Sequence, residues 1–352
     1  MEDKFVSTLH PYVDIGAGIY LLFIAVVTIV GNVVVLATAV KCSSHLKSPD
    51  LLSINLAITD LGMAFSMYPL AIASAWNHVW IGGEPSCQYY GFAGFFFGVA
   101  SMMTLMAMAV IRYLMTSAIT TISVTIKKKI IYIVITCIWI YALLWALLPL
   151  VGWGHYGPEP FGVSCTIAWA EFHDSTSGFS FILSMFVLCT MAPAITVVTC
   201  YIRIAWKLHK AYKEIRSYNR IPHTAKVEKR LTAMAILVSI GFLVFWTPYA
   251  FVSFWSVFHS SAHIPPTVSL LPCLFAKSST AFNPIIYYTF SKMFRQKVKQ
   301  LKCCCGWRIH LSQSKSTVEI PEVSVIWAAR DNIQISSALR TNKGQSSTTM
   351  IQ

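Results

Sequence analysis

The chain of 352 residues is 56% hydrophobic and only 12% charged, with a mean hydropathy of +0.61, a balance that excludes an ordinary water-soluble enzyme. Its 27 Lys and Arg outnumber 14 Asp and Glu, but they cluster between or after apolar runs. There they read as topology signals and partners of anionic lipid headgroups, not as a nucleic-acid surface.

Apolar runs long enough to cross about 30 Å of hydrocarbon lie near 15–40, 50–75, 87–115, 130–152, 178–202, 231–258 and 266–290. Within lipid each backbone group must be bonded inside its own segment, and the alternation of a barrel strand is absent, so these runs predict helices. The expected fold is all-α, a seven-transmembrane helix bundle over 14–290 preceded by a short N-terminus, 1–13. That N-terminus is too short and too acidic for a cleavable signal peptide, which leaves the first span as its own insertion signal. Lys41 and Lys47, Lys127 to Lys129, and Arg203 through Arg230 mark the cytoplasmic loops. The alternate loops lack Lys and Arg, which places the N-terminus outside a multi-pass plasma-membrane protein.

After the last span, Met293, Phe294, Val298 and Leu301 share one side of Ser291 to Lys302, with Lys292, Arg295, Lys297 and Lys299 elsewhere. This pattern predicts an interfacial amphipathic eighth helix, and 291–305 ends in Cys303, Cys304 and Cys305, a candidate palmitoylation site beside basic residues. Unmodified thiols are the alternative. The tail, 306–352, is polar and rich in Ser and Thr, and reads as disordered.

An ionisable group deep in a span is costly, which singles out Asp60 and Lys277. Lys277 interrupts an apolar stretch about a third of the way into the seventh span, at least two turns from the outer surface. An ammonium at that depth must be paired or lose its proton, and the neutral amine is a nucleophile able to condense with an aldehyde as a Schiff base. A Lys paired with a carboxylate merely for specificity is the alternative. A protonated Schiff base needs an anion, and Asp60 lies toward the cytoplasmic side. Of the outer carboxylates, Glu159 stands six residues before Cys165 and is the counterion candidate; an exposed loop acid is its other reading, and Glu84 the next contender. Cys87 and Cys165 both lie on the oxidising face, and their pairing is the outward-facing option. Trp246, Tyr249 and Phe95 to Phe97 flank the same depth, where they offer a grip for a rigid apolar ligand or simply a membrane core.

Gly31-Asn32, Leu56-Ala57-Ile58-Thr59-Asp60, Arg112-Tyr113, Trp139, Pro193, Trp246-Thr247-Pro248-Tyr249 and Asn283-Pro284-Ile285-Ile286-Tyr287 together resemble the rhodopsin-type G-protein-coupled receptor superfamily across roughly 15–305. Lys277, seven residues before Pro284, stands where opsins bind retinal as a Schiff base. The resemblance thus implies retinal, 11-cis or all-trans, covalently held at Lys277. It maps Cys87 and Cys165 onto the outer disulfide, Trp246, Tyr249 and Gly98 onto the chromophore pocket, and Glu159 onto a loop counterion. Tyr90 occupies the alternative third-span counterion position. Gly94-Phe95-Phe96-Phe97-Gly98, Gly157 to Gly162 and Ala276-Lys277-Ser278 look closest to the neuropsin (opsin-5-like) group, with peropsin second.

Arg112, Tyr113, Tyr201, Asn283, Pro284, Tyr287 and Asp60 match the receptor's activation set, and Glu228 an acid at the foot of the sixth span. Ile111 replaces the acid that the superfamily carries before Arg112. The resemblance implies a light-sensing receptor in which isomerised retinal presses on Trp246 and the sixth span moves outward, opening a cytoplasmic pocket to a heterotrimeric G protein. Arrestin and a receptor kinase would act through the tail, and absorption would fall in the ultraviolet or violet if Glu159 holds the proton weakly. The loss at Ile111 keeps a retinal photoisomerase or retinal-storage role as the alternative, and a receptor for a diffusible ligand as a third.

Overall fold

The computed structural model describes residues 3–41, 46, 48–118, 126–169, 175–216, 223–258, 265–290, 294–296 and 298. The seven apolar runs are helical: Pro11–Lys41, then Ser48–Ser66 continued by Tyr68–Asn77, Gly83–Ala118, Lys128–Leu147, Thr176–Met185 continued to Ala192–Arg216, His223–Phe258, and Pro266–Lys277 followed by Ser279–Phe290. Most ends fall within about five residues of those expected, but the fifth helix runs well past 202 and the sixth begins well before 231, at their cytoplasmic ends. Six of these crossings are long and apolar enough to span a membrane as helices. The seventh crossing is broken at Ser278 into two 12-residue pieces, where the sequence suggests one continuous run.

Proline explains much of the irregularity. Pro69 has no N–H to offer the Phe65 carbonyl one turn earlier, and the second span is interrupted in that turn, at Met67. Pro193 has no N–H to offer the turn before it, and the fifth span widens there into a π-helical turn over Phe186–Met191. Pro272 and Pro284 weaken the two halves of the seventh span, and Pro248 the outer third of the sixth.

The third span is the axis of the bundle, packed against the second, fourth, fifth and sixth spans and against a small antiparallel hairpin in the second outer loop. The hairpin pairs Tyr156–Pro158 with Cys165–Ile167, and Cys165 is disulfide-bonded to Cys87 at the head of the third span. The N-terminal segment closes over it: Trp80 N donates to the Phe5 carbonyl at 2.8 Å, Ser7 N to the His78 carbonyl at 2.9 Å, and the Phe5 ring is buried beside Trp80, Cys87 and Cys165. Gly162 has φ +84, and a side chain there would collide with the Val6 carbonyl, so glycine is what lets this strap lie flat on the hairpin. Of the expected interfacial helix, Phe294–Gln296 and Val298 are helical, with the Phe294 ring 6.4 Å from that of Tyr287. Cys303 to Cys305 and the tail lie outside the described residues.

Candidate functional site

Lys277 is the last residue of the first half of the seventh span, and its side chain points into the bundle. Nζ lies 2.8 Å from the Cys273 thiol, one turn earlier on the same helix, and 5.7 Å from the centre of the Tyr90 ring. Among the described residues it makes no salt bridge, so the amine is not neutralised by a structural carboxylate partner.

The hairpin brings Glu159 over the same space. Glu159 is buried, only 7% exposed, at the start of the loop that Glu159 N closes on the Ser164 carbonyl at 2.8 Å. Its Oε1 accepts from the Tyr249 hydroxyl at 2.8 Å, and because that proton is spent on the carboxylate, Thr166 is left to donate to the Tyr249 oxygen, also at 2.8 Å. Burial pushes the Glu159 carboxyl above the usual carboxylate range, while the Tyr249 hydrogen bond and the positive charge of Lys277 pull it partly back. Glu84, the rival acid, is engaged on the outer surface: its Oε2 lies 2.8 Å from Lys4 Nζ and its Oε1 3.8 Å from His155 Nε2.

Tyr90 is fully buried, and its hydroxyl faces the buried Ser164 hydroxyl and the Lys277 amine without a well-formed hydrogen bond to either. Buried polar atoms are rarely left so, and two around one amine fit a site that receives a polar-ended ligand. The inner wall is aromatic. Trp246 stacks on Phe242 at 5.5 Å, meets Tyr249 edge-on at 6.2 Å and donates from Nε1 to Ser279 at 3.1 Å. A methyl at Gly98 would rest 3.6 Å from the Trp246 ring, ordinary van der Waals contact, so the third span passes close beside Trp246 at that depth.

Sequence reasoning missed two neighbours. Cys273 reads as a small apolar helix residue, but it is the polar contact of the Lys277 amine; its spacing of four from Lys277 was the available signal. Thr166 shows no signal in the sequence, because only the hairpin register brings it to Tyr249.

The cytoplasmic set is spread over a longer path. Asp60 is buried and accepts from Asn283 Nδ2 at 2.9 Å, tying the second span to the seventh. Tyr201 donates to the Ala235 carbonyl at 3.2 Å and lies within electrostatic reach of Arg112. The Tyr113 ring carries Lys207 Nζ at 5.0 Å. Pro284 and Tyr287 are buried, and the Tyr287 hydroxyl has no partner among the described residues. Ile111 is buried in an apolar cluster with Leu51, Leu52 and Met108. Glu228 falls on the sixth span, its side chain outside the described residues.

The family model described as 7 transmembrane receptor (rhodopsin family) matches residues 31–287. Human opsin-5 is 37% identical over 91% of this chain and 93% of its own length, and mouse visual pigment-like receptor peropsin 32% identical over 81% and 83%. The crystal structure of squid rhodopsin superposes with a TM-score of 0.78 at 27% identity, covering 88% of this chain and 92% of that one.

Proposed function

The chain belongs to the rhodopsin family of seven-transmembrane receptors and, within it, to the opsins, light-sensing G-protein-coupled receptors; from that premise we propose that it holds retinal as a Schiff base on Lys277 with Glu159 as counterion. A retinal chromophore, a multi-pass membrane location and G-protein coupling follow from the family; the attachment point and its partners are this reading. The observation that carries it is the Lys277 amine, deep in the bundle, in contact with a thiol and an aromatic ring and, among the described residues, not in salt-bridge contact with any carboxylate.

Bound there, retinal supplies the photochemistry, a light-driven change of isomer. The residues supply the rest. Lys277 holds the ligand to the seventh span, Trp246 and Gly98 shape the inner wall, and Tyr90 offers its idle hydroxyl. Glu159, weakened as an anion by burial and shared with Tyr249, holds the Schiff-base proton loosely, which favours ultraviolet or violet absorption. Trp246 then passes a change of ligand shape to the sixth span and, through Ser279, to the second half of the seventh. Arg112, Tyr113, Tyr201, Glu228, Asp60, Asn283, Pro284 and Tyr287 form the coupling path to a G protein on the cytoplasmic side. The N-terminus faces outward, Cys303 to Cys305 carry the lipid anchor, and the tail receives arrestin and a receptor kinase.

Ile111 favours a second reading, a retinal photoisomerase or storage opsin, because the acid beside Arg112 that sets basal coupling is absent. Retinal extraction before and after illumination, run beside a nucleotide-exchange assay, separates the two. The receptor reading expects light-dependent exchange with retinal retained; released product without exchange would overturn it.

A further inference from the structure

The seventh span breaks immediately after Lys277, and a broken helix leaves carbonyl oxygens without their usual N–H donors. The Lys277 carbonyl is nevertheless doubly served: the Tyr68 hydroxyl donates to it at 2.9 Å and Thr280 Oγ1 at 2.9 Å. Thr280 Oγ1 lies 2.8 Å from the Tyr68 hydroxyl and 2.8 Å from Thr28 Oγ1. Asn32 Nδ2 donates to the Thr280 carbonyl at 3.1 Å and to the Thr28 carbonyl at 3.0 Å.

Each hydroxyl carries one proton: Tyr68 gives its own to the Lys277 carbonyl, Thr28 gives its own to Thr280, and the single Thr280 proton is shared between the Tyr68 oxygen and the Lys277 carbonyl. All four side chains are sealed from solvent. Among the described residues every hydroxyl of this collar is hydrogen-bonded and only Asn32 Oδ1 lacks a partner, and its members come from the first, second and seventh spans. The Tyr68 ring itself packs with Met63, Met67 and Tyr90, so its hydroxyl is delivered to the break by a side chain with no freedom to turn away.

We infer that Tyr68 is a positioning residue for Lys277. By gripping the lysine's backbone carbonyl at the helix break, it sets the height and direction from which the amine enters the site, and it ties that backbone to the first and second spans. The inference rests on the reading of Lys277 as the retinal attachment point. It adds that strain applied to Lys277 passes into the collar instead of dissipating at the break.

Tyr68→Phe keeps the ring and removes the donated proton. In retinal-free protein, amide hydrogen exchange across 274–282 is expected to rise roughly tenfold. Thr280→Val should follow in the same direction, while Thr280→Ser, which keeps the hydroxyl, stays at the parent rate. In the reconstituted pigment, Tyr68→Phe should accelerate the dark reaction with hydroxylamine by a similar factor, with the absorption maximum unchanged. Parent-like exchange in both Tyr68→Phe and Thr280→Val overturns the inference. So does an equal rise across 99–108 of the third span, which signals general loosening, or faster exchange with unchanged hydroxylamine reactivity. If the parent forms no retinal adduct, the exchange result alone decides the collar and only the attachment point falls.

Discussion

Over Lys277, segments far apart in sequence are laced together: the hairpin is bonded to the third span through Cys87 and Cys165, and the strap at Phe5 to Thr8 is hydrogen-bonded to the first and second outer loops. At the cytoplasmic end the same bundle carries Ile111 in an apolar cluster where the superfamily places an acid, and a buried Tyr287 hydroxyl with no partner among the described residues. The outer half is built around one geometry that excludes water from an amine. The inner half, with Ile111 among apolar side chains, carries no acid at the position before Arg112, and it is the region that must adopt a second packing when a receptor couples. A retinal site needs the first property and coupling the second.

Cutting the outer lacing should have the largest effect. Replacing Cys87 or Cys165 by Ser opens a loop of 78 residues, a loss of roughly 4 to 5 kcal/mol in the chain-entropy model, and the expected result is little or no folded pigment by absorbance. A milder cut is Gly162→Ala, which forces a side chain into left-handed backbone against the Val6 carbonyl; about 1 to 2 kcal/mol should be lost, read as a lower melting temperature of the retinal-free protein. Unchanged melting would mean that the strap is not closed in solution.

The counterion sharpens the comparison through pH. The folded-state affinity of Glu159 for a proton is raised by burial, so its contribution to stability is full below the ordinary glutamate value of about 4.3 and is lost as pH rises through the higher folded value. Parent protein should therefore lose melting temperature over that window and Glu159→Gln should not. In the pigment, removing the acid should lower the pH at which the ultraviolet form converts to the visible one by about one unit or more. An unmoved midpoint would remove Glu159 as counterion. The smallest effect is expected at the inner end, where Ile111→Glu restores an acid beside Arg112. Dark nucleotide exchange should fall by roughly two- to tenfold, while the absorption maximum, set in the outer half, stays put.

Much of the architecture was legible because membrane physics leaves few alternatives: twenty or so apolar residues in a row must be helix. Lys277 stood out for the same reason, a charge where charge is expensive. The break after Lys277 was not legible, since Ser278 and Ser279 are ordinary helix residues and the interruption is stabilised from elsewhere, by Tyr68 and Thr280. Glu159 could be nominated by its distance from Cys165, but its hydrogen bond to Tyr249 depends on how the hairpin folds back over the sixth span. Glu84 was the next contender on sequence, and Lys4, from the strap, is what occupies it.

The account depends on one covalent bond. Borohydride reduction of freshly reconstituted pigment, followed by peptide mass mapping, should find the retinyl group on the peptide containing Lys277 and nowhere else. A retinyl group on a different lysine, or an unmodified Lys277 in a preparation that absorbs as a pigment, would contradict it.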